Sequence, residues 1–166
     1  MNGLKVAAKA IGELGNSESP KDSNMQKYGF WYGLNGVPWC AIFVSWVYNQ
    51  SGFSLGHIDS DKGMHYCPSA LNYFKKNGEV TKAPTVGDIV FFDWQGDGKV
   101  DHVGIFLQDR ASTLGTFISI EGNTSLGNDS NGGQVMLRIR DYKHAIFVHP
   151  KAVSYTHLTL PTNREV

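Results

Sequence analysis

The sequence predicts an α+β fold, with N-terminal helices packed on an antiparallel β-sheet of about five to six strands. Three observations carry this expectation. Apolar residues recur at helical spacing in the first half of the chain. After Pro84 the period falls towards two, and Gln95-Gly96-Asp97-Gly98-Lys99 gives a strong hairpin signal between two apolar runs. The 166 residues are the size of one domain, enough to bury a core without disulfide or metal staples. Helices first and strands after place the two in separate layers.

Taken in order, Leu4, Ala7, Ala8, Ile11 and Leu14 share one helical face, with Lys5, Lys9 and Glu13 outward and Gly15 as the expected stop. Residues 16–39 read as a long irregular stretch rich in Asn, Ser, Gly and aromatics (Tyr28, Phe30, Trp31, Tyr32, Trp39), which is more than a connector requires. Residues 40–51 read as a helix stopped by Gly52. It is apolar nearly all round and is therefore expected at the centre of the core. A loop over 53–65 leads to a helix at about 68–76, closed by Asn77-Gly78. Strands are expected over Ile89–Trp94 and Val100–Gln108, then at about 116–121, 134–140 and 145–149.

Composition narrows function. Lys+Arg and Asp+Glu are both 15, so the formal net charge is zero. Nucleic-acid binders and polybasic membrane adaptors need a cationic surface that this balance does not supply. Runs such as Ala41-Ile42-Phe43-Val44 are far too short to span a bilayer. Aromatics at 12% argue against disorder, and 19 glycines suit a loop-built site on a globular scaffold.

Cys40 follows Val37-Pro38-Trp39 and opens the apolar helix. A thiol there faces unpaired N–H groups and the positive end of the helix dipole, both of which favour thiolate. On position alone, a packed core thiol is an equal reading. Among the six histidines, His102 has a geometric case, because Val103, Ile105 and Leu107 alternate onto one face and leave His102 and Gly104 together on the other. A nucleophilic Cys needs such a base, and the base needs an orienting partner. Glu121 and Asn123 share a strand face if the extended path continues through Gly122, and a carboxylate beside an amide there would hold the far ring nitrogen. For either residue alone, a polar strand end is the plainer reading.

Together, Pro38-Trp39-Cys40-Ala41-Ile42-Phe43-Val44-Ser45-Trp46, Val86-Gly87-Asp88-Ile89-Val90-Phe91-Phe92-Asp93-Trp94, Asp101-His102-Val103-Gly104-Ile105 and Ile120-Glu121-Gly122-Asn123-Thr124 resemble the CHAP family of cysteine, histidine-dependent amidohydrolases/peptidases. The likeness runs over roughly residues 5–149 and is nearest to phage endolysin members. It implies a papain-like fold, with Cys40 as nucleophile, His102 as base, Glu121 orienting His102 and Asn123 an auxiliary polar group. The implied reaction is hydrolysis of an amide in bacterial peptidoglycan, either N-acetylmuramoyl–L-alanine or a stem or cross-bridge peptide bond, through a thioester. Trp31, Tyr32, Trp39 and Trp94 are expected near the substrate groove, with core packing an equal alternative for each. A catalytically silent wall-binding module and a thiol amidase acting on a small amide conjugate are the competing readings. The chain is expected to act as a monomer.

No cofactor or metal is expected. Asp93–Asp101 has the acidic spacing of half a calcium loop, but the twelfth position is Gly104 where a bidentate Glu is needed. Some members of the family bind calcium through acidic residues just upstream of the Cys, where this chain has Asn35-Gly36. His57, Asp59, Asp61, His65 and Cys67 match no standard zinc spacing. The N-terminus lacks the apolar stretch of a secretory signal, so synthesis is expected in the cytoplasm, with action on the wall after release or as part of a longer secreted or virion protein. In a reducing compartment Cys40 and Cys67 are read as separate thiols. The domain is expected over 1–152. From Val153 to Val166 the sequence resembles the in-frame translation of a sequencing adapter and is expected to be non-native, the alternative being a native Thr/Leu strand ending at Pro161.

Overall fold

The computed structural model describes residues 1–111 and 113–155. Among them are four α-helices: α1 (Gly3–Ile11), α2 (Lys27–Tyr32), α3 (Cys40–Gln50) and α4 (Cys67–Lys76). The strands are β1 (Phe53–Ser54), β2 (Val80–Thr81), β3 (Ile89–Phe92), β4 (His102–Ala111), β5 (Thr116–Thr124), β6 (Gln134–Asp141), β7 (Ala145–Val148) and β8 (Val153–Ser154). Six antiparallel strands form one sheet in the order β2-β7-β3-β4-β5-β6, and β1 pairs with β8 apart from it. The fold is therefore the expected α+β arrangement. β3 to β6 run as a meander, and β7 returns to the free side of β3. No described helix is long and apolar enough to cross a membrane.

Two apolar layers follow from strand alternation. Ile89, Phe91, Val103, Ile105 and Ile120 join the helix-side core, whereas Val90, Phe92, Phe106, Phe117 and Phe147 form a separate cluster. α3 is the hub of the first. Ile42, Phe43, Val44, Val47 and Tyr48 are all fully buried, and the helix packs on β4, β5, α1 and α2. Burial on every side explains why so β-branched a segment is helical: tertiary packing overrides propensity. The Ser45 hydroxyl accepts from Met64 N–H and donates to Met64 C=O, both at 2.9 Å, pinning the following loop to the helix.

Two expectations need correcting. α1 buries Val6, Ala7 and Ala10, while Leu4 and Ile11 face outward. The helix packs on α3 and β4 through that small-residue side, which allows a closer approach than the bulkier stripe would. The stretch 16–39 is not wholly irregular. α2 forms within it, started by the Gln26 side chain accepting from Gly29 N–H at 2.7 Å and stopped by Gly33 in the left-handed region. At the other end, Val153 and Ser154 pair with Ser54 and Phe53, and Tyr155 N–H donates to Gly52 C=O at 2.8 Å. Residues 156–166 of the expected tail lie outside the described residues.

Helix α3 and strand β5 meet at Gly122. A Cβ there would stand 2.7 Å from Phe43 Cβ and 2.9 Å from the Trp39 ring. The glycine thus lets the helix that carries Cys40 lie against the strand that carries Glu121. Gly122→Ala is expected to overpack this contact by about 2 kcal/mol and lower the melting temperature by about 4–8 °C, as read by thermal circular dichroism.

Candidate active site

Cys40 is the first residue of α3, with Trp39 as the N-cap residue before it. Its own N–H and those of the next residues have no partner within the helix, so the sulfur sits where backbone donors converge. The thiol is held well below its ordinary range. The largest cause is a hydrogen bond with Cys67, whose Sγ is 3.8 Å away; burial opposes it, and the His102 charge and Ala41 N–H add to it. Both cysteines are free and buried.

His102 begins β4 opposite Phe92 and is fully buried. Its Nε2 lies 2.9 Å from Glu121 Oε1. An ionised carboxylate only accepts, so Nε2 carries the proton and Nδ1 is the nitrogen left for chemistry. Nδ1 is buried without a hydrogen-bond partner among the described residues. Burial would lower the His102 pKa, but the Cys40 sulfur and then Glu121 outweigh it and hold the ring at about 9. A depressed thiol beside an elevated imidazole makes a thiolate–imidazolium pair across the interval between them. The ring is also stacked on Phe92 (6.0 Å, 27°) and Trp94 (5.6 Å, 23°), which fixes its plane.

Glu121 is buried on β5 yet ionised, with every carboxylate position satisfied. Oε1 accepts from His102 and from Arg140 Nη2 at 2.6 Å, while Oε2 accepts from Arg140 Nε at 2.9 Å and Ser119 Oγ at 2.6 Å. Burial alone would raise its pKa, and Arg140 first and His102 second hold it at about 2. Arg140 reaches in from β6, donates also to Asp129 at 2.8 Å and lies over the rings of Trp94 (4.9 Å) and Phe92 (5.4 Å). Gly104 makes room for the carboxylate, since a Cβ there would stand 2.6 Å from Glu121 Cγ.

A cleft of about 740 Å³ opens beside Cys40. Leu34, Val37, Pro38 and Val100 form its apolar wall, and His65, Tyr66, Lys99, Asp101, Ser130 and Asn131 supply polar groups. The four aromatics expected along the groove do not line it. Trp39 is fully buried and stacked on Tyr28 at 5.5 Å. Tyr32 donates to Gly63 C=O at 2.9 Å within the core, Trp31 packs edge-on against Tyr32, and Trp94 backs His102.

Asn123 also stands differently from the sequence expectation. It adopts φ 57°, and the β5–β6 register shifts between Glu121 and Thr124, so the extended path breaks at this point. Its side chain accepts from Gly133 N–H at 3.0 Å and donates to Asn131 Oδ1 at 3.1 Å, bracing the loop that borders the cleft. Reasoning from the sequence missed Arg140, Ser119 and Asp129. It also read Cys67 as a thiol separate from Cys40, whereas the two sulfurs meet.

The acidic loops have structural partners. Asp93 accepts from the N–H groups of Gly96, Asp97 and Gly98, and Asp101 from that of Trp94, so the turn itself uses these carboxylates. Asp59 accepts from His65 N–H, Tyr66 N–H and Ser69 Oγ and so organises the start of α4, while His57 pairs with Asp61 at 2.6 Å. Among the described residues, no group of three or more His, Cys, Asp and Glu is placed to hold a metal ion.

Comparison with known proteins bears on the same region. The family model described as CHAP domain matches residues 31–123, a span that contains Cys40, His102 and Glu121. No curated protein matches the chain.

Removing Arg140 would leave an ionised carboxylate buried without its main counter-charge. Arg140→Ala is expected to cost about 3–5 kcal/mol, measured as a fall in denaturant midpoint. Arg140→Lys keeps the charge but not the two-pronged fit, and is expected to recover only part of that loss.

Proposed function

The chain belongs to the CHAP domain family, a family of cysteine, histidine-dependent amidohydrolases and peptidases, and from that premise we propose that it hydrolyses an amide bond of bacterial peptidoglycan through a thioester on Cys40. The observation that carries this reading is the buried relay Cys40–His102–Glu121 opening onto the cleft beside the nucleophile. The bond cut is N-acetylmuramoyl–L-alanine or a peptide bond of the stem or cross-bridge. The cleft's apolar wall, with one cationic and one acidic side chain among neutral donors, suits a glycopeptide better than a polyanion. A silent wall-binding module would have no use for a charged relay kept buried at such desolvation cost.

The thiolate of Cys40 attacks the carbonyl carbon, and the developing oxyanion meets the free N–H of Cys40 at the start of α3. Imidazolium His102 gives its Nδ1 proton to the leaving amine as the C–N bond breaks, leaving the thioester. Neutral His102 then takes a proton from water as its oxygen attacks, and the sulfur departs as thiolate with the C–S electron pair. Glu121 stays ionised throughout. Its acceptance of the Nε2 proton fixes the tautomer and stabilises the imidazolium.

Cys40→Ser is expected to abolish clearing of a cell-wall suspension, and full activity in that variant would overturn the nucleophile assignment. Glu121→Gln is expected to lower kcat about 100-fold with wall binding retained, as read by sedimentation with purified wall. The rate should rise with pH through the depressed Cys40 pKa and fall as His102 loses its proton near about 9, because the reactive form needs both charges. Mass spectrometry of digested peptidoglycan identifies the bond. Muropeptides with no new amine or carboxyl end would refute the substrate.

A further inference from the structure

The mechanism above leaves one buried nucleophilic group at the site unused. Cys67 is the first residue of α4, and its Sγ is 3.8 Å from that of Cys40, with both side chains bordering the cleft. Its placement is built rather than incidental. Pro68 follows it, and Asp59 fixes the turn before it by accepting from His65 N–H, Tyr66 N–H and Ser69 Oγ. The two helices thus bring their N-terminal thiols together.

We propose that Cys67 is a positioning residue for the nucleophile: it stays protonated and donates its S–H to the Cys40 thiolate. This rests on Cys40 being the nucleophile, as the proposed function has it. A thiol is a weak donor, but a sulfur anion of the same size at hydrogen-bonding distance is a matched acceptor. The opposite displacements of the two thiols agree with one shared proton residing on Cys67, which is held well above its ordinary range chiefly by its bond to Cys40. The bond is strongest while sulfur is charged, before attack and again as it leaves the acyl-enzyme. It also holds the sulfur's direction towards the cleft.

The charged and titratable groups around the pair come from three elements. His102 begins β4, with Asp101 and Lys99 just before it; Asp59 and His65 precede α4; and Glu121 lies behind His102 on β5. A change at residue 67 alone alters the identity of none of them.

The test is the pH dependence of Cys40 alkylation by iodoacetamide under reducing conditions, with the Cys40 peptide resolved by mass spectrometry. Wild type, Cys67→Ala and Cys67→Ser are compared, each checked for folding by circular dichroism. Cys67→Ala is expected to raise the Cys40 midpoint by about one pH unit, the worth of a hydrogen bond to a charged group. Cys67→Ser keeps a donor and is expected to stay nearer the wild-type midpoint. The acid limb of the hydrolysis profile should move with the alkylation midpoint. An unchanged midpoint in Cys67→Ala overturns the proposal, as does an equal shift in both variants, which would assign the effect to packing. If Cys67→Ala does not fold, Cys67→Ser against wild type and Cys67→Val decides the matter in the same way. Alkylation needs no substrate, so a shifted midpoint in a protein inert on peptidoglycan would refute the substrate assignment and leave this one standing.

Discussion

The buried carboxylate of Glu121 is the constraint around which the rest of the site is arranged. An ion in that position is tolerated only when its desolvation is answered by charge and hydrogen bonds. Four donors from three residues do so: His102, Ser119 and two prongs of Arg140. His102 lies on β4, Ser119 on β5 and Arg140 on β6, so the carboxylate ties these three strands together at one end. The same set decides the chemistry. With Nε2 of His102 committed, only Nδ1 remains to exchange protons with the sulfur and the substrate.

The charge balance runs further than the three residues proposed to act. Arg140 answers Glu121 on one side and Asp129 on the other, and its flat guanidinium lies over the same two rings that stack on His102. Trp94 and Phe92 thus form the floor under both the His102 ring and the counter-charge of Glu121. Trp94 therefore stands behind the His102 ring rather than along the cleft, which is the packing alternative of the two readings its sequence position allowed.

Much of this was readable from local pattern. The apolar run after Cys40 marks a buried helix, and the alternation beyond His102 marks a strand with the imidazole and Gly104 on one face. The same alternation sets Glu121 on the face opposite Ile118 and Ile120, while its partnership with His102 was implied only by the family resemblance. What could not be read depends on pairings between distant segments. Arg140 meets Glu121 because β5 and β6 pair in a register that sets Phe117 opposite Arg140, and no local periodicity specifies that register. Cys67 meets Cys40 because two helix starts converge across 27 positions. Asn123 departs from the alternation because its backbone turns left-handed at a bulge, which a period-two reading presumes absent. The tryptophans were ambiguous from the outset, since a large aromatic serves a core and a groove equally well.

Gly104 and Gly122 carry a last consequence. Neither supplies a reactive atom, yet one clears space for the Glu121 side chain and the other lets the nucleophile's helix rest on the strand behind it. A random-mutagenesis screen scored only on lysis would therefore return these two positions beside Cys40 and His102, with the same apparent severity. Sorting the hits by melting temperature would separate them: substitutions at the proposed nucleophile leave the fold at its full stability, whereas those at the glycines lower stability along with activity. In this domain two of the positions least tolerant of change are defined by what is missing from them.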